Sequence, residues 1–109
     1  MATLPTQVVA LTGLAPSYAA AAGGGDKCET GDRVFLHVKN GAGSPVTVTL
    51  TSTVSVRGQA VANVTVSVPA SGERMIGPIQ PDLLRAASDG LCAIGYSSAT
   101  SVTVAALRI

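Results

Sequence analysis

Strict alternation of aliphatic residues with Thr or Ser is the feature that most restricts this chain. It runs through Val46-Thr47-Val48-Thr49-Leu50-Thr51 and again through Val64-Thr65-Val66-Ser67-Val68. Successive side chains on a strand point to opposite faces, so each run predicts a half-buried strand whose outer face carries hydroxyls. Globular domains commonly carry about 25% charged residues, and this chain has 12%. Short hydroxyls lose little entropy when immobilised and hydrogen-bond to water or to a neighbouring subunit. Such a surface suits a building block that functions while packed against other chains better than it suits a catalyst.

A chain of 109 residues has room for one core and not for two independent ones. Ala and Val dominate the apolar residues, with no Trp, two Tyr and one Phe, so the core is expected to be thin and aliphatic. Each Val or Ala gains less on burial than a Phe or Leu would, at about 25 cal/mol per Å², and assembly is a natural source of extra stability. A net charge of +1 supplies no field for a polyanion, and aromatic residues for base stacking are scarce. Nucleic acid is therefore not an expected partner.

The first 25 residues are apolar and end in an Ala- and Gly-rich tract, but no Lys or Arg precedes Lys27, and Pro5, Gln7, Thr12, Gly13 and Pro16 interrupt the hydrophobicity. These features argue against a cleaved export signal and against a membrane span, which needs about 20 consecutive apolar residues. The expectation is synthesis in the cytoplasm with no membrane partner. In that compartment Cys28, in a polar turn region, and Cys92, in a strand, default to free thiols. A bridge between them would close a long loop, but the sequence does not establish that they are close. Two Cys and one His fall short of a structural zinc site.

Gln7 to Leu11 is a short apolar run able to add to a sheet edge, and Ala19 to Gly25 reads either as a linker or as an arm ordered against a partner. Strand signals strengthen at Arg33 to Lys39, which runs into the Asn40-Gly41 turn. Further strands are expected at Val46 to Thr51, Val61 to Val68, Glu73 to Ile76, Leu91 to Tyr96 and Ser101 to Leu107. Thr53 to Val56 either continues its predecessor or begins another before the Arg57-Gly58 break. Pro81 to Ala87 is the one helix, with Pro near its start. These about six to eight strands, joined by Gly, Pro and Ser turns, predict an all-β fold. Its form is an antiparallel β-sandwich, Ig-like or jelly-roll-like, with an extended N-terminal arm and one short helix. Residues 1-30 are read as arm and loop, and residues 31-109 as the sandwich domain.

Catalytic patterns are lacking. His37 shares a strand face with Phe35 and Lys39 and reads as a surface or interface residue rather than a general base, since no acid or nucleophile pattern accompanies it. Asp26, Glu29 and Asp32 could suggest calcium, but Lys27 and Arg33 interleave with them and the ligand spacing of a calcium loop is missing, so a solvated charged loop is expected. Gly23-Gly24-Gly25 is not followed by the Lys and hydroxyl of a phosphate loop. Asn63-Val64-Thr65 matches a glycosylation sequon that is expected to stay unmodified without export. The sequence thus implies no catalytic residue, no metal and no cofactor.

The succession of four segments carries a resemblance. They are Thr12-Gly13-Leu14-Ala15-Pro16-Ser17-Tyr18, Arg33 to Gly41, Ser67 to Pro78, and Ser101 to Arg108. Together they resemble small structural proteins encoded among the head genes of tailed bacteriophages, and among these most closely capsid decoration, or cement, proteins. The resemblance implies a non-enzymatic virion protein on the outer capsid surface that bridges major capsid subunits, commonly as a homotrimer. Pro5, Val8, Leu11, Leu14 and Tyr18 of the arm, with Phe35 and His37, are the expected protein-contact residues. Two alternatives are a tail or head-to-tail completion protein forming a ring, and a carbohydrate-binding host-attachment module, for whose aromatic platforms only Tyr18, Phe35 and Tyr96 are available.

Overall fold

The structure, a computed structural model, describes residues 2–86 and 89–109. Its strands are β1 (Ala2–Thr3), β2 (Thr6–Val8), β3 (Ala19–Ala20), β4 (Asp26–Cys28), β5 (Val34–Asn40), β6 (Val46–Thr51), β7 (Ser55–Val56), β8 (Gln59–Ala60), β9 (Val64–Val68), β10 (Glu73–Ile76), β11 (Cys92–Tyr96) and β12 (Val102–Arg108), with one helical turn, α1 (Pro81–Leu84).

Most of these strands form one long ribbon folded back on itself. The β7–β8 hairpin marks its tip, where Arg57 and Gly58 both take positive φ (52° and 79°) in a two-residue turn. Moving away from the tip, β6 pairs antiparallel with β9, β5 with β10, β4 with β11 and β3 with β12. The ribbon then wraps so that its strands fall alternately into two sheets, ordered β4-β11-β6-β9 and β10-β5-β12-β3. Numbered one to eight along the ribbon, the sheets read two-seven-four-five and six-three-eight-one, which is the jelly-roll arrangement of two four-stranded sheets. The all-β sandwich is as expected from the sequence, and of its two forms the strand order matches the jelly roll.

The N-terminal segment is extended, and its strands join both sheets of its own chain. β1 runs parallel to β4 at the edge of one sheet, and β2 runs parallel to β12 in the other, on the side where β3 also pairs. A parallel pair needs a long connection. Here the connections are the crossing from one sheet to the other and nearly the whole length of the chain, so no crossover helix is required. Leu4 and Ala21 are buried in the common core, and the Ala21 N–H donates to Val102 O (2.9 Å). The Ala19 to Gly25 tract is thus ordered against its own sandwich.

The core is aliphatic. Leu36, Leu50, Ile79 and Ile94 are its largest fully buried side chains, surrounded by Val38, Val46, Val48, Val68, Val102 and Val104. The molecule is 20 Å through its thinnest direction, matching two sheets about 10 Å apart with side chains on both outer faces. On the outer face of β6 and β9, Thr47 lies opposite Ser67 and Thr49 opposite Thr65, so the hydroxyl alternation becomes cross-strand rows.

Several local expectations change in three dimensions. Asn40-Gly41 does not turn a hairpin, because β5 and β6 lie in different sheets. Asn40 is instead a buried corner post. Its Nδ2 donates to Ser44 O (2.9 Å), Val68 O and Pro69 O (both 3.3 Å), and its Oδ1 accepts from the Ala42 N–H (2.9 Å). The strand expected from Val61 starts at Val64. The helix expected to Ala87 is a single turn ending at Leu84, with Pro81 at its first position and no side-chain cap at Gln80; Ala87 lies outside the described residues. Asp26 and Cys28, expected in a polar loop and turn, form a buried strand. Asp26 there accepts hydrogen bonds from Tyr96 Oη (2.8 Å) and the Ala22 N–H (3.3 Å).

Two stability predictions follow from these buried polar groups. Asn40→Ala strips partners from backbone groups at two corners, between β5 and β6 and between β9 and β10, and is expected to cost about 1–3 kcal/mol, read as a fall in the urea midpoint. The Tyr96 phenol is pushed above its ordinary value, first by burial and then by its hydrogen bond to Asp26 and that residue's charge. Its stabilising share is therefore complete below the unfolded value of about 10 and declines as pH rises beyond it, by up to ~1.4 kcal/mol per pH unit. The stability gap between the parent chain and Tyr96→Phe should be widest near neutrality and narrow above pH ~10; parallel pH profiles for the two would contradict this.

Candidate interaction surface

The period-two alternation of β5 turns Val34, Leu36, Val38 and Asn40 inward and sends Phe35, His37 and Lys39 to the outer face. Register then sets their neighbours. His37 lies between Met75 of β10 and Ala105 of β12, Lys39 between Glu73 and Thr103, and Phe35 opposite Leu107.

The returning N-terminal segment covers the centre of this face. Tyr18 Oη lies 2.6 Å from His37 Nδ1, with the two rings edge-to-face at 5.4 Å between centroids. Lys39 Nζ sits 4.1 Å from the centroid of the Tyr18 ring on the same patch. His37, expected at a surface or interface, is only 6% exposed. Its Nε2 approaches Glu73 Oε1 at 3.4 Å, but the geometry falls outside a hydrogen bond and the atom has no other partner. Among the described residues the contact with Tyr18 is thus the one hydrogen bond of the ring. With Tyr18 donating to Nδ1, the ring hydrogen sits on Nε2 and faces the Glu73 carboxylate. Both nitrogens are turned into protein, so the ring acts as a brace beneath Tyr18.

Between β2 and Tyr18 the chain leaves the sandwich as a compact loop, residues 9–16. Its neck is closed by Gln7, whose Nε2 donates to Ser17 O (2.7 Å) and whose Oε1 accepts from the Ser17 N–H (2.8 Å). The carboxamide thereby pairs with the backbone as a neighbouring strand would. One side is anchored by the Val9 N–H on Arg108 O (2.8 Å), and the bend is made at Gly13, whose φ of 101° favours glycine. Leu11 stands fully exposed at the tip, while Val8 and Val9 are 54% and 42% exposed.

Beside the loop root, Phe35, Met75, Pro78 and Ile109 line an open apolar groove of about 370 Å³, flanked by Asp32 and Arg33. Met75 and Ile109 are 66% and 68% exposed. Grouped exposed apolar side chains of this kind mark interaction surfaces.

The structure thus places Val8, Leu11 and Leu14 on or beside the loop and Tyr18 at its return. Pro5 sits with Tyr18 and Ser17 at a small cavity over Ala105, and Phe35 lies in the groove. His37 is beneath rather than within the surface. Val9, Met75, Pro78 and Ile109 were not singled out from the sequence. Arg74-Met75-Ile76 carried a usable signal, because two adjacent apolar residues on a strand cannot both face inward. Asp26, Glu29 and Asp32 do not converge: Asp26 is buried against Tyr96, Glu29 accepts from Thr6 Oγ1 (2.8 Å) and Asp32 is exposed. Among the described residues no group of His, Cys, Asp and Glu is placed to hold a metal ion, and no helix is long and apolar enough to cross a membrane.

Comparison with protein-family models, with curated proteins and with solved structures finds no match to this chain. The Tyr18 brace generates its own prediction. Tyr18→Phe leaves His37 buried without a hydrogen bond, and should lower stability by about 1–3 kcal/mol while loosening the loop, read as faster amide exchange at Ser17 and His37.

Proposed function

We propose that this chain is a non-enzymatic bacteriophage virion structural protein that binds the outer surface of the mature capsid. There it stabilises the shell by bridging major capsid subunits. The observation that carries the reading is the rigidly rooted loop 9–16, which presents Leu11 to solvent with Val8, Val9 and the Phe35–Met75–Ile109 groove beside it. A soluble chain gains nothing from such exposure, whereas a neighbouring subunit can bury it. The jelly-roll strand order adds support by analogy, since viral capsid domains use it, although the same fold also serves lectins and enzymes.

In this reading the mechanism is mechanical. Genome packaging presses capsid subunits apart, and a protein seated across their boundaries adds contact energy that opposes separation. A homotrimer would engage several subunits at once, so that individually modest contacts act as one tight attachment. The loop suits this role because its neck is already ordered, which lowers the entropy lost on docking.

The test is co-sedimentation with expanded and unexpanded capsid shells, using the parent chain, Leu11→Asp, and a variant with residues 9–16 replaced by a short Gly-Ser linker. The parent should saturate expanded shells near one copy per capsid subunit. Leu11→Asp should keep its stability within about 0.5 kcal/mol and lose about 1.5–3 kcal/mol of binding, roughly ten- to a hundredfold in Kd. No binding of the folded parent to expanded shells would overturn the proposal; binding of only a few copies per particle would point to the tail or head-to-tail ring.

A further inference from the structure

β4 and β11 place Cys28 directly opposite Cys92. Both are free thiols and both are completely buried, so their side chains point into the same interior layer. The ladder fixes which kind of pair they form. Lys27 turns its carbonyl toward β1, where it accepts from the Leu4 N–H (2.8 Å). Its neighbours Asp26 and Cys28 therefore direct their backbone groups toward β11. Cys28 and Cys92 are thus a hydrogen-bonded pair, for which antiparallel geometry sets the Cα atoms about 5.5 Å apart. Disulfides span about 4.4–6.8 Å between Cα atoms, most often near 5.5–6 Å.

From this juxtaposition we propose that Cys28 and Cys92 are a site of intramolecular disulfide formation, taking a small-molecule disulfide such as oxidised glutathione as its oxidant. The proposal stands apart from the virion reading. The two thiols perturb one another: Cys92, together with burial, pushes the Cys28 thiol far above the ordinary range, and Cys28 draws Cys92 below it.

In the exchange, the Cys92 thiolate attacks one sulfur of the oxidant. A Cys92–glutathione bond forms, the oxidant's S–S bond breaks, and one glutathione thiolate leaves. Cys28 then gives up its proton and attacks the Cys92 sulfur, forming the protein disulfide and releasing the second glutathione. Two protein thiols are oxidised, one glutathione disulfide is reduced to two thiols, and the two cysteine protons end on the departing thiolates. β4 is bordered on its outer side by the two-residue β1, and local opening of that short edge pairing is the route of access the exchange requires. The bond would tie the N-terminal segment to the core across more than half the chain.

The experiment equilibrates the full chain with excess oxidised glutathione, both from the native state and during refolding from urea. Acid quenching, unfolding with N-ethylmaleimide and measurement of intact mass follow. The expected product takes up no label, is lighter than the reduced chain by two hydrogens, yields a linked Cys28–Cys92 peptide and has a higher urea midpoint. Cys28→Ser and Cys92→Ser should instead keep one glutathione adduct or one label, without the rise in midpoint. Refolding in the same buffer removes restricted access as a reason for a negative result. Two labels per refolded chain, a persistent glutathione adduct on the parent, or an interchain bridge would each overturn the proposal.

Discussion

The C-terminal strand β12 carries the pairing on which the remaining architecture depends. On one side it meets β5 over seven successive residue pairs, and on the other it receives both β2 and β3. Its inward residues Val102, Val104 and Ala106 lie in the core, while Ala105 and Leu107 are buried on its outer face beneath the N-terminal segment. β12 is thus covered on both faces and bonded on both edges, and its near-continuous run of small aliphatic residues meets that demand. The loop 9–16 owes its position to this arrangement, since its root strand and its return strand bond the same edge of β12.

The same arrangement explains how a chain poor in large side chains maintains order at its periphery. Val and Ala fill the space between the sheets but leave little volume to hold a long excursion. Fixing is done by polar groups that imitate backbone: Gln7 closes the loop neck, Asn40 ties two corners, and Asp26 receives Tyr96 from the far end of the sequence. Buried Asn40 and Asp26 each have more than one partner, so the cost of burying them is offset, and all three side chains specify the positions they join. A helix of one turn is enough at the open end because Ile79 and Leu84 fill the space there.

Elements with a repeating period were legible in the sequence. β6 and β10 coincide with runs identified by alternation and turn residues, and β5, β9, β11 and β12 match such runs with ends displaced by one to three residues. The strands that escaped have no period to read. β1, β3 and β8 are two residues each, and β4 is written Asp-Lys-Cys, a composition that alone resembles a solvated loop, whereas β7 lies within the Thr53 to Val56 run. What lets Asp26 sit buried in β4 is the hydrogen bond from Tyr96, a partner contributed from far along the chain. His37 misled for a related reason: alternation assigned it correctly to the outer face, but did not show that Tyr18 would cover that face. The exposed residues of the first segment were legible as apolar side chains interrupted by Pro and Gly. Their gathering into a closed loop was not, because it depends on one carboxamide reaching one backbone position.

This interlocking of recognition and core determines how the N-terminal segment can be dissected. Leu4 lies just before the loop, and Ala21, Asp26 and Cys28 lie after it, all buried. Removing residues 1–30 would strip strands from both sheets and open the core. Loss of binding by such a truncation would report unfolding as readily as a missing contact. Residues 9–16 are separable because the strands β2 and β3 and the Gln7–Ser17 closure lie outside them, and the one rung they supply, from the Val9 N–H to Arg108 O, is a backbone bond that a Gly or Ser in its place can also make. The exposed face of the loop is therefore free to vary with a partner's surface, while the strands on either side remain constrained by the sandwich. A fold built this way can change what it docks against without altering the residues that hold it together.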